Sequence, residues 1–151
     1  LTFATGEELC VALERLDDEL SRSASGGQTT AVVARVADGK VYGASAGDSE
    51  AWPIGSSGGH ARLTAHQNPK PLLGSGESMP VAFVSVPMHG RLILGSDGLF
   101  KYCSAARIVE VVRTLPLEEV ATELGAAVAL PNGSLQDDVA ILVCEAASAS
   151  R

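Results

Sequence analysis

Three aspartates stand where β-type runs break into turns: Asp48 in AGDSEAW, Asp97 in LILGSDGLF and Asp137 in GSLQDDVAILV. A carboxylate at the end of a strand projects from a rigid support into a loop-lined cleft, which is how hard cations are held. With oxygen donors only, and no His or Cys in these three segments, the chemistry favours Mg²⁺ or Mn²⁺ over Zn²⁺. The same residues also make ordinary turns, because an Asp at a turn hydrogen-bonds its own backbone. Asp137 is followed by Asp138, and adjacent carboxylates repel unless something compensates them. A solvated turn tolerates the pair too. The residues by themselves leave both readings open: turn chemistry, or a divalent-cation site built from loops.

The elements that would carry these aspartates are legible from pattern. Leu9, Val11, Leu13, Leu16 and Leu20 are the apolar positions of a helix predicted over Glu7–Ser21, with acidic side chains on its polar face. A Ser/Gly linker, RSASGGQ, ends it. TTAVVARV and KVYGASAG flank ADG and predict a hairpin, and AWPI continues as a third strand. The stretch from Gly55 to Met88 is rich in turns and is broken by the run VAFVSV; RLILG follows as a short buried strand. Ser104 caps a helix predicted to run through Thr114, Pro116 opens another reaching about Leu130, and VAILVC closes the chain as a strand. The tail AASASR is expected to fray. Hairpin first, helices late and no β-α-β-α alternation predict an α+β fold rather than a doubly wound parallel sheet.

Bulk properties narrow the partners. The chain has 151 residues, 46% of them hydrophobic, and a net charge of −7. No basic stripe is present to neutralise nucleic-acid phosphates, and an acidic chain is repelled by anionic membrane surfaces. Neither partner is expected. Cys10, Cys103 and Cys144 are too few and too scattered for a disulfide framework or a CxxC metal site. With no signal peptide or apolar span, they predict a cytoplasmic protein. His60, His66 and His89 lack paired spacing and read as loop histidines. Trp52 reads as core and Cys103 as an inert, buried or half-buried thiol; surface solvation is the default for Lys70 and Arg91, which are also side chains that could meet a phosphate. The chain opens on Leu1 rather than Met and is read as a fragment. Nothing in the sequence sets the oligomeric state.

Taken in order, the segments resemble the metal-dependent serine/threonine protein phosphatases of type 2C. GGQTTAVVARV resembles that family's Gly-Thr-Thr-Ala strand start, SAGDSEAW its Val-Gly-Asp-Ser-Arg-Ala motif, and LILGSDGLF its Leu-Cys-Ser-Asp-Gly-Leu strand end. SAARIVEVV matches its Ser-initiated helix, and GSLQDDVAILV, with one extra residue, its Gly-Ser-x-Asp-Asn motif. Several motifs in order are specific where any one is weak. The resemblance covers nearly the whole chain except the middle third.

The resemblance implies a single phosphatase 2C-like domain over residues 1–151, an αββα sandwich of two antiparallel sheets packed face to face. The first helix would lie on one outer side and the two late helices on the same sheet flank or its end. It implies that Asp97 and Asp137 ligate the second metal of a binuclear Mg²⁺ or Mn²⁺ centre, and that Asp48 matches a ligand of an additional, weaker ion. The implied activity is hydrolysis of a phosphoprotein substrate by water bridging ions about 4 Å apart, with no phosphoenzyme nucleophile. Ser49 and Ser96 are then turn hydroxyls. Departures are plain: the family's upstream Asp-Gly-x-Gly-Gly motif, its phosphate-binding Arg and its general-acid His have no counterpart. GSSGGH lacks the Asp, Glu50 replaces the motif Arg, and Asp138 replaces the Asn. No catalytic residue is assigned. The domain is expected to be N-terminally incomplete, its flap trimmed, and its activity as a chain alone low or nil. Two other functions stay open. One is a catalytically inactive binding or regulatory module. The other is a sporulation-type phosphatase acting on anti-sigma-factor antagonists, toward which PLLGSG and the Asp137/Asp138 pair lean, while GDS and SDGL lean toward the type 2C group proper.

Overall fold

Thr5 makes a reciprocal cap with Glu8: its hydroxyl accepts from the Glu8 N–H at 3.2 Å, and its own N–H donates to the Glu8 carboxylate at 3.3 Å. That capping box starts α1, Gly6–Ser21. In this computed structural model residues 5–24 and 26–145 are described; the frayed tail expected after Glu145 lies outside them. Nine further elements follow in the order β1 (Ala31–Ala37), β2 (Lys40–Ala46), β3 (Glu50–Gly55), β4 (Val81–Pro87), β5 (Gly90–Gly95), α2 (Asp97–Tyr102), α3 (Ala105–Thr114), α4 (Leu117–Val128) and β6 (Ile141–Glu145). The architecture is α+β, with two antiparallel sheets of strand orders β1-β2-β4 and β3-β5-β6, each flanked by helices. The contacts divide the chain into two compact units.

The first unit comprises residues 1–50 and 63–87. Its β1–β2 hairpin turns on Asp38 and Gly39, both at positive φ (50° and 69°), so Ala37 pairs Lys40 across a two-residue loop. This is the turn that matches strand twist, and Asp-Gly is its preferred pair. β2 also pairs β4 antiparallel. α1 packs on β2 and β4, and Leu9, Cys10 and Leu13 join Ala44, Ala46 and Leu73 in a buried cluster. The buried stripe of α1 differs from the pattern expected. Val11 and Leu16 are 46% and 40% exposed, while Asp17, four residues beyond Leu13, is 3% exposed. Helical periodicity puts positions 9, 13 and 17 on one line, and the polar residue on that line is satisfied by the loop it faces.

The second unit comprises residues 51–62 and 88–151. β5 pairs β6 antiparallel, Arg91 opposite Glu145 and Gly95 opposite Ile141. α4 packs on β6 and against α3 and α2, and α2 packs on β5. The late helices thus belong with the second sheet, not with the sheet that carries α1. Ile93, Leu99, Ile108, Val111, Val112, Val120 and Leu124 are at most 1% exposed and form its centre. Trp52 is half-buried at the edge of this cluster, its ring 4.7 Å from that of Phe100. β6 starts at Ile141 and is shorter than the predicted VAILVC. It is the edge of its sheet, and its side chains alternate between the two faces: Ile141 and Val143 pack against the helices' cluster and Leu142, on the other face, is 55% exposed. Among the described residues no helix is long and apolar enough to cross a membrane.

Candidate metal-binding site

Asp97 was expected in a loop and is instead the first residue of α2, whose N-cap is Ser96. The Ser96 hydroxyl makes no helix-capping bond. It donates to the Asp138 carbonyl at 2.9 Å and accepts from the Ala140 N–H at 3.0 Å, while the Ser96 N–H donates to the Ala140 carbonyl at 3.1 Å. Ser96 therefore fastens the turn before α2 to the turn before β6, and so joins the chain segments that carry Asp97 and Asp137. Next to it, a Cβ at position 98 would come within 2.4 Å of the Asp138 carbonyl oxygen. Only glycine permits this approach.

Asp137 is half-buried. One of its carboxylate oxygens accepts the Asp138 N–H at 3.0 Å, the turn bond anticipated from sequence. The other lies 3.7 Å from the Lys101 ammonium. Lys101 is on α2 four residues after Asp97, a spacing that puts both on one helix face. Contact with Tyr102 first, and then the charges of Asp137 and Asp97, hold the Lys101 ammonium above the ordinary lysine range. Asp137 is thus within ion-pair range of this ammonium, and Asp97 stands one helical turn before it. Lys101 was missed from sequence because GSDGLFK reads as a turn; read as a helix opening, its Asp-to-Lys spacing of four is the signal.

Asp48 lies in the first unit, half-buried between β2 and β3. Gly47 before it donates to the Asn68 carbonyl at 3.2 Å, and the buried Ser49 after it shares a 2.7 Å hydrogen bond with Thr30. Asp138 is exposed. Among the described residues no group of three or more His, Cys, Asp or Glu side chains is gathered as in a metal cage. The donor set at Asp97 and Asp137 is nonetheless all oxygen, and the Lys101 ammonium already stands beside it as a cation. These two residues fit a hard divalent ion held through few protein ligands and several waters, as Mg²⁺ is.

Other residues singled out from sequence are committed elsewhere. The Arg91 guanidinium donates to the Val112 and Leu115 carbonyls at 2.7 and 2.6 Å and pairs with Glu145 at 3.0 Å. It caps the end of α3 and is not available to a phosphate. His60 is exposed and stacks on Trp52 at 5.1 Å; His66 and His89 are exposed. Lys70 is exposed and precedes a cis bond to Pro71. Burial, with Glu7 and Glu14 nearby, pushes the Cys10 thiol up to about 11, and burial also raises Cys103 and Cys144. None is a thiolate at neutral pH.

The feature that sequence reasoning missed most completely is Asp17. One of its oxygens accepts from the N–H groups of Gly74 and Gly76 and the other from Ser78 at 2.9 Å. The PLLGSG segment is thus tied to α1. Leu73 is fully buried and bridges Thr29 through a pair of 3.0 Å backbone bonds. Burial raises the Asp17 carboxyl, but the backbone N–H groups of Ser78, Gly76 and Gly74 outweigh it and hold the group below the usual carboxylate range.

Comparison with known proteins agrees with this architecture. A model of the family described as Stage II sporulation protein E (SpoIIE) matches residues 2–147. No curated protein sequence matches. Among solved structures, a mutant of a bacterial serine phosphatase is 26% identical with a TM-score of 0.76, over 91% of this chain and 64% of that one. The serine/threonine phosphatase Stp1 from Staphylococcus aureus is 20% identical with a TM-score of 0.71, over 95% and 66%. The catalytic domain of the serine/threonine protein phosphatase PstP in complex with two manganese ions is 19% identical with a TM-score of 0.73, over 95% and 72%. The chain thus spans a little under two-thirds of the length of the first two.

Proposed function

Since the chain belongs to the Stage II sporulation protein E family, phosphatases of type 2C kind, we propose that it serves metal-dependent hydrolysis of phosphoserine or phosphothreonine on a protein. Family membership favours the sporulation-type branch and, with it, an anti-sigma-factor antagonist as the class of substrate. The observation that carries the proposal is the clasp of Ser96, which joins the turn that opens on Asp97 to the turn that carries Asp137, with the Lys101 ammonium 3.7 Å from Asp137.

Asp97 and Asp137 would hold one Mg²⁺ or Mn²⁺, and Asp48 a further, weaker one. A divalent ion there supplies Lewis-acid charge to phosphoryl oxygens and lowers the pKa of bound water. The chain's own residues set the geometry. The Asp138 N–H fixes the Asp137 rotamer by occupying one oxygen and leaving the other turned toward Lys101. Ser96 holds the two carboxylate-bearing turns in register, and both bonds of its hydroxyl are used in doing so. That commitment argues against Ser96 as a nucleophile, and the protonated thiols argue against cysteine in that role.

The aspartate motif that would complete a two-metal ligand set has no counterpart in these 151 residues, so the chain is expected to release phosphate slowly or not at all while still binding an ion. The test is calorimetric titration with Mn²⁺ alongside a phosphopeptide-release assay. Binding that disappears in Asp97→Asn and in Asp137→Asn supports the site. Binding indifferent to both substitutions sinks it, and rapid Mn²⁺-dependent release abolished by Asp97→Ala would show that the ligand set here is already sufficient.

A further inference from the structure

We propose that Lys101 is a built-in counter-cation, competing with the divalent ion for Asp97 and Asp137 and so setting the ion concentration at which the site fills. The proposal rests on the metal site argued above. The helical spacing puts Lys101 over the face that carries Asp97, and its Nζ reaches Asp137 at 3.7 Å. One ammonium therefore stands beside Asp137 and one turn along the helix from Asp97, whose segments the Ser96 clasp joins. The contact is loose. Lys101 is 57% exposed, its Nζ lies 5.2 Å from the centre of the Tyr102 ring, and a surface ion pair of this kind is weak and readily exchanged. The long stem lets the ammonium swing into water when an ion arrives. While the ammonium remains within a few ångströms of the carboxylates it opposes the ion, because two positive charges there repel even in high dielectric. For a divalent ion about 5 Å from the ammonium, that opposition amounts to roughly 3–20-fold in affinity, depending on salt.

The dependence on side-chain charge distinguishes this role from an incidental surface pair. An incidental pair has no effect on ion binding. A competing cation has an effect that depends on charge alone, so Lys101→Arg leaves affinity as it is, Lys101→Met raises it and Lys101→Glu raises it further. Lys101 is exposed, and none of these substitutions removes core packing.

The experiment is calorimetric Mn²⁺ titration of the parent chain, the three Lys101 variants, Asp97→Asn and Asp137→Asn at fixed ionic strength. The expected result is a Kd lower by roughly 3–20-fold for Lys101→Met and lower again for Lys101→Glu, with Lys101→Arg like the parent. Equal affinity in Lys101→Met and the parent overturns the proposal. If the two Asn variants lose binding in that case, the metal site itself still stands. If they bind as the parent does, the site fails and the proposal with it. Should the parent bind too weakly to titrate, Lys101→Glu is still expected to bind measurably, and its failure to do so overturns the proposal as well.

Discussion

Asp17 is the residue whose loss the fold will register most clearly. Its carboxylate is the common acceptor for three backbone N–H groups of the Gly74–Ser78 loop. Asp17→Ala is expected to cost roughly 2–4 kcal/mol, read from the urea midpoint at neutral pH, because charge-assisted bonds are lost and donors are left unpaired. Asp17→Asn, which keeps one acceptor oxygen, is expected to cost less. The sign of the pH dependence follows from the depressed carboxyl. Its stabilisation is fully present above the unfolded value of about 3.9 and is lost as pH falls through the lower folded value. The gap between parent and Asp17→Asn is therefore expected to be constant near neutrality and to close in acid. A gap that widens below pH about 4 would contradict this.

At the scale of elements, Arg91 and Gly98 decide how the pieces of the second unit meet. Arg91 leaves β5 to cap the C-terminal carbonyls of α3 and to pair with Glu145, its cross-strand partner on β6. A cation at a helix C-terminus is favourable for the dipole as well as the carbonyls. Arg91→Met keeps the stem and removes all three bonds, and a loss of roughly 1.5–3 kcal/mol is expected in chemical denaturation, with Lys only partly restoring it. Gly98→Ala would force α2 away from the Asp138 carbonyl. Overpacking of this kind costs roughly 1–3 kcal/mol. Because the same shift separates Asp97 from Asp137, Mn²⁺ affinity is expected to fall by more than stability alone predicts, which a titration under fully folded conditions would check.

For the whole molecule the ligand count governs the response to metal. Few protein ligands imply a Kd near the millimolar range, and at about tenfold excess the ion then stabilises the fold by roughly 1.4 kcal/mol. For a chain of this size that is a rise in Tm of roughly 3–5 °C. Differential scanning fluorimetry is expected to show that rise with Mn²⁺ in the parent and to show none in Asp137→Asn. An equal rise in both would place the ion elsewhere on a molecule whose net charge is −7.

Local pattern determined a great deal of this protein. The capped helix ending at Ser21, the Asp-Gly hairpin, the Ser104 cap of α3 and the α+β class all follow from short-range periodicity and turn chemistry, which need no tertiary partner. The ordered aspartate motifs were likewise enough to identify the family resemblance. Tertiary structure decided the rest, because it depends on what each side chain finds opposite it. Asp17 sits on the apolar line of α1 only because a distant loop brings it three donors. Arg91, open to a phosphate when read alone, is taken up by carbonyls more than twenty residues away. Leu142 is exposed because it points to the face of β6 opposite the one that Ile141 and Val143 bury, and a continuous apolar run does not say which face is covered. Asp97 opens a helix rather than a loop because Gly98 packs on Asp138 and Leu99 is buried in the core, and neither contact is local. From that one change follows the place of Lys101, and with it the electrostatics of the site.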